Sequence, residues 1–102
     1  MTRLLVLYNQ PADAAVFDRY YFETHIPLAN RIPGLRSYVV SAERPAMMAG
    51  EHAPYLIAEL EFDSSAALQA GMGSSEGQAT AADLANFAQA GVTILTFDTR
   101  SV

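Results

Sequence analysis

The segment FDRYYFETHIPLANRIPG, Phe17 to Gly34, gathers Asp18, a Tyr20–Tyr21 pair and His25, one of the chain's two histidines. On a helix, positions 18, 21 or 22, and 25 fall on one stripe, since 18 to 25 is about two turns. A carboxylate, a phenol and an imidazole on one stripe can hold the histidine in a single tautomer and let it act as general acid or base. The structural alternative is a helix-terminal histidine that complements the dipole or caps a carbonyl freed by Pro27. Adjacent tyrosines point roughly 100° apart, so one of the pair belongs to the core and the other can line a cavity. Tyr8 and Asn9 close the preceding strand where a pocket mouth would lie, although Asn9 could equally bond its own turn. His52, in the loop sequence AGEHAP, reads as exposed and idle.

Other chemistries lack their residues. There is no cysteine, which removes disulfides and thiolate catalysis. Two distant histidines do not make metal-ligand spacing. His25 is the one residue that would suit a haem iron, and nothing else in the chain supports haem. The six glycines are dispersed, with no phosphate-cradling loop, and no Gly-x-Ser-x-Gly nucleophile motif occurs. We therefore expect no cofactor and no metal.

The elements that must position the Phe17–Gly34 residues follow from pattern. Arg3–Asn9 is a short apolar run before a turn, a strand buried on both faces. Asp13 is an N-cap candidate for a helix whose apolar positions include Val16, Phe17, Tyr20, Tyr21 and Phe22. Pro27 should end or kink that helix near His25, with at most one or two turns over Leu28–Ile32. Leu35–Pro45 reads as a second strand and residues 45–54 as a loop. In Tyr55–Phe62, Leu56, Ala58, Leu60 and Phe62 face one way, and Tyr55, Ile57, Glu59 and Glu61 the other. These glutamates are pocket or interface carboxylates, or the solvent side of an edge. Asp63 or Ser64 caps a short helix to about Ala70, broken at Gly71 and Gly73. Ser74–Ala88 is a further helix that would turn Ala81, Leu84, Ala85, Phe87 and Ala88 to the core. Val92–Arg100 is the last strand.

The order β-α-β-β-α-β is that of an α+β ferredoxin-like plait, a four-stranded antiparallel sheet with both helices on one face. At 102 residues, one domain with one core is the expectation. The other sheet face stays apolar in either register, at positions such as Val39, Ile57 and Leu95. We expect it to close against a second copy in a homodimer. The net charge of −5, with only six Lys and Arg in total, argues against nucleic acid and anionic membrane surfaces. The apolar run at the N-terminus is too short for a signal-peptide core or a membrane span. A soluble cytoplasmic protein is expected.

Within this pattern, Phe17, Asp18, Tyr20, Tyr21, Thr24, His25, Pro27, Pro33, Gly34 and Leu35, following LYNQP, resemble the EthD family of dimeric α/β-barrel proteins. Ala82–Asp98 is similar to the family's closing helix and strand, with Asp83 and Phe87 at matching places. The resemblance spans nearly the whole chain and implies the plait and the dimer. The wider superfamily includes cofactor-free monooxygenases, muconolactone isomerases, small dehydratases and haem-degrading enzymes, and a shared fold does not select among them. The expected ligand is a small hydrophobic, oxygenated organic molecule held by Tyr8, Phe17, Leu84 and Phe87. The expected chemistry is proton transfer by His25, oriented by Asp18 or a tyrosine hydroxyl such as that of Tyr21, in isomerisation, dehydration or oxygenation. The alternative is a non-catalytic homodimer that binds a pathway intermediate.

Overall fold

The computed structural model describes all residues from Met1 to Val102. Strand β1 (Thr2–Tyr8) is followed by a helical arm of three parts. These are α1 (Ala14–Tyr20), a wide π turn (Tyr21–His25) and α2 (Ile26–Ala29). Then come β2 (Ser37–Val40), β3 (Leu56–Phe62), α3 (Ser65–Gly73), α4 (Ser75–Phe87) and β4 (Val92–Asp98). The strands lie in the order β2-β3-β1-β4, all neighbours antiparallel. This is the ferredoxin-like plait, with α3 and α4 together filling the place of its second helix.

The alternation in the strands sets the core. Leu4 sits opposite Leu60, Val6 opposite Ala58 and Tyr8 opposite Leu56, and all six are buried beneath the helices. The opposite face carries Leu5, Leu7, Val39, Ile57, Leu95 and Phe97, with Leu95 and Phe97 still 49% and 44% exposed. On that face Arg3 reaches Glu59 at 2.7 Å and Glu61 at 3.2 Å. The two strand glutamates are thus paired on the open face, away from His25.

The helical arm buries Phe17, Tyr21, His25 and Ala29, each four residues from the last. An ideal helix turns about 400° in four residues, so this stripe would drift by roughly 40° per step. The π turn, closed by the Ile26 N–H on the Tyr21 carbonyl, removes the drift between Tyr21 and His25. Pro27 supplies the cause: it has no N–H, and its ring would collide with the carbonyl four residues back in a regular helix. The expected end or kink at His25 takes this form, and the helix runs on to Ala29.

Two further differences concern the second half. α3 continues through Gly71 to Gly73; Gly71 does not break it but serves close packing, since a Cβ there would meet the Pro33 carbonyl at 2.5 Å. Ser74 then stops α3 and caps α4, its hydroxyl accepting the Gly77 N–H at 3.1 Å. The buried stripe of α4 is Gly77, Thr80, Asp83 and Phe87, with Leu84 half-buried and Ala81 and Ala85 exposed. Thr80 tolerates burial by donating to the Glu76 carbonyl at 2.8 Å, and Asp83 by the bonds described below.

Candidate functional site

His25 closes the π turn at 3% exposure. Its ring lies 4.6 Å from that of Phe87 and stacks on Tyr21 at 5.5 Å. Nδ1 stands 2.9 Å from Oδ2 of Asp83 on α4. The other oxygen of Asp83 accepts the Tyr20 hydroxyl at 2.6 Å and the Asn86 amide at 2.9 Å. One carboxylate therefore collects three donors from two helices.

The charges follow from these surroundings. Burial pushes His25 below its ordinary pKa, and outweighs the attraction of Asp83 that would raise it. Burial alone would raise Asp83, but hydrogen bonds from Tyr20, Asn86 and His25 together hold it below the usual carboxylate range. The bond to Asp83 raises Tyr20, so the phenol keeps its proton. Near neutral pH the set is an ionised Asp83 and a neutral His25. A carboxylate only accepts hydrogen bonds, so the imidazole proton sits on Nδ1 and the lone pair on Nε2. The His25 ring makes no other hydrogen bond to the protein. A neutral imidazole with one nitrogen fixed and the other free is the form needed for a general base.

The other residues expected at this site distribute differently. Asp18 does not reach His25; it accepts the Tyr55 hydroxyl at 2.8 Å. The π turn explains the miss, because it brings Tyr21 and His25 into line and leaves Asp18 roughly 60° off their stripe. Tyr21 is fully buried between Phe17 and His25, and its hydroxyl shares a 2.7 Å bond with that of Tyr38. Burial pushes both phenols up, Tyr21 far beyond the ordinary range. Tyr8, Phe17 and Phe87 pack ring to ring at 5.5–5.6 Å. Asn9 bonds its own surroundings, its amide donating to the Ala90 carbonyl at 3.0 Å, and His52 is exposed in the loop.

Two spaces adjoin these residues. A cavity of about 80 Å³ lies between sheet and helices, walled by Tyr8, His25, Thr80, Leu84, Ile94 and apolar neighbours. An open cleft of about 440 Å³ lies between the start of α1 and the end of α4, walled by Phe17, Tyr20, Asn86 and Phe87 among others. The pocket expected around Tyr8, Phe17, Tyr21, His25, Leu84 and Phe87 is thus divided, and Tyr21 lines neither part. No three His, Asp or Glu side chains converge in a way that could hold a metal ion. Asp83 is the residue that local spacing misses. The signal for it is a carboxylate on the stripe of α4 that also carries Thr80 and Phe87.

Because Asp18 lies outside the His25 set, Asp18→Asn is expected to leave the His25 ring resonances in place. It should lower stability by no more than about 1 kcal/mol, the worth of one half-exposed hydrogen bond. Urea unfolding and ring NMR check both statements.

Plait and buried imidazole–carboxylate pair together describe a ferredoxin-like α+β protein with a candidate acid–base centre beneath its helices. The chain belongs to the EthD family: residues 9–91 match the model of the EthD domain. Over 102 residues it is 38% identical to an uncharacterized 11.0 kDa protein from the thcB–thcC intergenic region of Rhodococcus erythropolis. That alignment covers 100% of this chain and 98% of the relative. The crystal structure of an ethyl tert-butyl ether D (EthD) family protein from Bacillus halodurans C-125 superposes with a TM-score of 0.88 at 38% identity, covering 98% of this chain and 99% of that one. SnoaB, a cofactor-independent oxygenase from Streptomyces nogalater, shares the fold at a TM-score of 0.65 and 15% identity, over 99% and 93% of the two chains. No helix is long and apolar enough to cross a membrane.

Proposed function

We propose that this EthD protein binds a small, mainly apolar oxygenated organic molecule beside His25, and that Nε2 of His25 takes a proton from it. The observation that carries the reading is the buried His25–Asp83 bond at 2.9 Å. Burying a carboxylate is costly unless it is well bonded, and Asp83 is spent on holding one tautomer of one imidazole. The chemistry within reach is isomerisation or dehydration of an acidic C–H or O–H compound, or its oxygenation with dioxygen as the oxidant, with no group beyond the side chains moving the proton. Asp83 takes the orienting role first considered for Asp18. The likeness to SnoaB is one of fold, and bears on the reading only because cofactor-independent chemistry occurs on that plait.

Once a turned-over substrate is in hand, His25→Ala is expected to lower turnover by about 10²–10⁴-fold, the usual worth of a general base. Unchanged turnover would remove the proposal. A second reading, a non-catalytic binding homodimer for a pathway intermediate, draws on the small size of the cavity at His25, about 80 Å³. The two separate by NMR: a His25 ring that never responds to any bound molecule favours the accessory reading.

The 102 residues would act as one domain, paired with a second copy across the open sheet face, in a cytoplasmic setting compatible with the lack of cysteine. The support for pairing is the row of Leu5, Val39, Ile57, Leu95 and Phe97 on one uncovered face. Leu95→Glu, which places a charge in that row, is expected to shift the protein to monomer at micromolar concentration in sedimentation experiments. A dimer that survives the change unaltered would contradict this interface.

A further inference from the structure

The cavity at His25 and the cleft outside it fail in opposite ways. The space at His25 is itself partly open where Ala81 and the 47%-exposed Ile94 line it, but it offers only about 80 Å³, less than the about 150 Å³ of an apolar cavity that holds benzene. The cleft, at about 440 Å³, falls in the range of small-molecule sites, about 300–1,000 Å³, but His25 is not among its walls. Phe87 stands between them. It lines the cleft, its ring is 4.6 Å from His25 and 5.6 Å from Tyr8 on the cavity side, and Tyr20 stacks on it at 5.4 Å from the cleft side. Asp83 spans the same divide. Oδ2 faces His25, while Oδ1 faces Tyr20 and Asn86, both cleft residues.

We propose that cleft and cavity are two ends of one ligand site, and that Phe87 is the residue that divides them and sets what may reach His25 from the cleft. The proposal rests on His25 being the proton acceptor. The ligand's aromatic body would lie in the cleft against Phe17 and Tyr20, and its oxygen-bearing end would reach Nε2 when Phe87 turns aside. The ligand class is a neutral aryl alcohol or ketone of about two rings. The rings match the aromatic walls by edge and face contacts. Asp13, a carboxylate at the cleft rim that caps α1 through the Val16 N–H, disfavours an anion, so the proton would leave at His25 and not before entry.

The probe is 1-naphthol, titrated into the full chain and followed by amide and imidazole ¹⁵N NMR. In the wild type, amides at Ala12, Val16 and Gln89 should shift together with the His25 ring. In Phe87→Trp, which fills the divide, the cleft amides should still shift with similar affinity while the His25 ring stays still. In Phe87→Leu, which opens it, the ring response should persist and binding should tighten by about fivefold or more. A His25 response with unmoved cleft amides, an undiminished response in Phe87→Trp, or no shift in any variant up to millimolar probe would each overturn the proposal. Amide spectra of the free variants establish that each is folded, and the tryptophan variant supplies the test if the leucine variant does not fold. If the linked shifts occur but His25→Ala leaves turnover intact, the joined site stands and the proton-transfer reading fails.

Discussion

Asp83→Ala is expected to lower the stability of the fold by about 3 kcal/mol at neutral pH, roughly the cost of stranding buried partners of a charged acceptor. The substitution removes three hydrogen bonds at once, from His25, Tyr20 and Asn86. It leaves the Nδ1–H of a residue only 3% exposed without a partner. Against a total stability of about 5–15 kcal/mol for domains in general, that is a large fraction. The acid side of the stability curve should change as well. Folded His25 holds its proton less tightly than the unfolded chain, whose histidine keeps the ordinary value of 6.5. As pH falls below that value the unfolded chain takes the proton first, and stability declines. Asp83 acts in the same direction lower down. Its contribution is complete above the ordinary 3.8 and is lost as pH falls through its lower folded value. Asp83→Ala removes the second loss. It also takes away the group that raises His25, so the first decline extends to lower pH. Urea unfolding at several pH values between about 3 and 8 measures both. Asp83→Asn, which keeps an acceptor without the charge, should fall between wild type and alanine.

Gly77→Ala should be of similar size for a different reason. A Cβ at Gly77 would lie 2.2 Å from the Gly71 carbonyl oxygen, 2.5 Å from Met72 Cα and 2.6 Å from the Met72 carbonyl oxygen. All three are backbone atoms, so no side chain can move aside, and α3 and α4 must separate. Overpacking of this kind costs about 1–3 kcal/mol and occasionally more; with backbone on every side we expect about 3 kcal/mol. The effect reaches the site, because α4 carries Asp83, and the His25 ring signals should broaden or move in any folded fraction. Gly73→Ala is the contrast. Nothing lies within 4 Å of a Cβ there and its φ is not positive, so that change should be neutral or stabilise by up to about 1 kcal/mol. Thermal unfolding of the two variants side by side tests the pair.

The strands were the most readable part of this sequence, although β2 spans only Ser37–Val40 where Leu35–Pro45 was expected. Alternation in Leu56–Phe62 separates the buried set from Ile57, Glu59 and Glu61 as the structure does, because a period of two leaves little room for error in register. Asp13 and Ser64 cap their helices as their side-chain chemistry suggests. The helix faces were harder. Ala81 and Ala85 are apolar and lie beside Leu84, so they pass for core, whereas the helix is turned to bury Thr80 and Asp83. Polar residues are poor markers of a buried face until their partners are known. The partner of Asp83 is His25, 58 residues away in the chain, beyond any helical spacing rule. Asp18 sits at the right distance along the helix but on the wrong side of a π turn, whose extra residue no simple period anticipates. Tyr8, Phe17, Leu84 and Phe87 were expected to hold a ligand together, whereas Tyr8, Phe17 and Phe87 pack ring to ring in the core, which types and spacing alone do not reveal.

His25 is a neutral imidazole with its proton on Nδ1, held there by Asp83, and with Nε2 free. Ring ¹⁵N chemical shifts of His25 at neutral pH measure this directly, since a protonated nitrogen and one bearing a lone pair resonate far apart. The expected spectrum has a protonated Nδ1 and an unprotonated Nε2, with the imidazolium appearing only below pH 6.5. An Nε2–H tautomer, or a ring already charged at neutral pH, would contradict it.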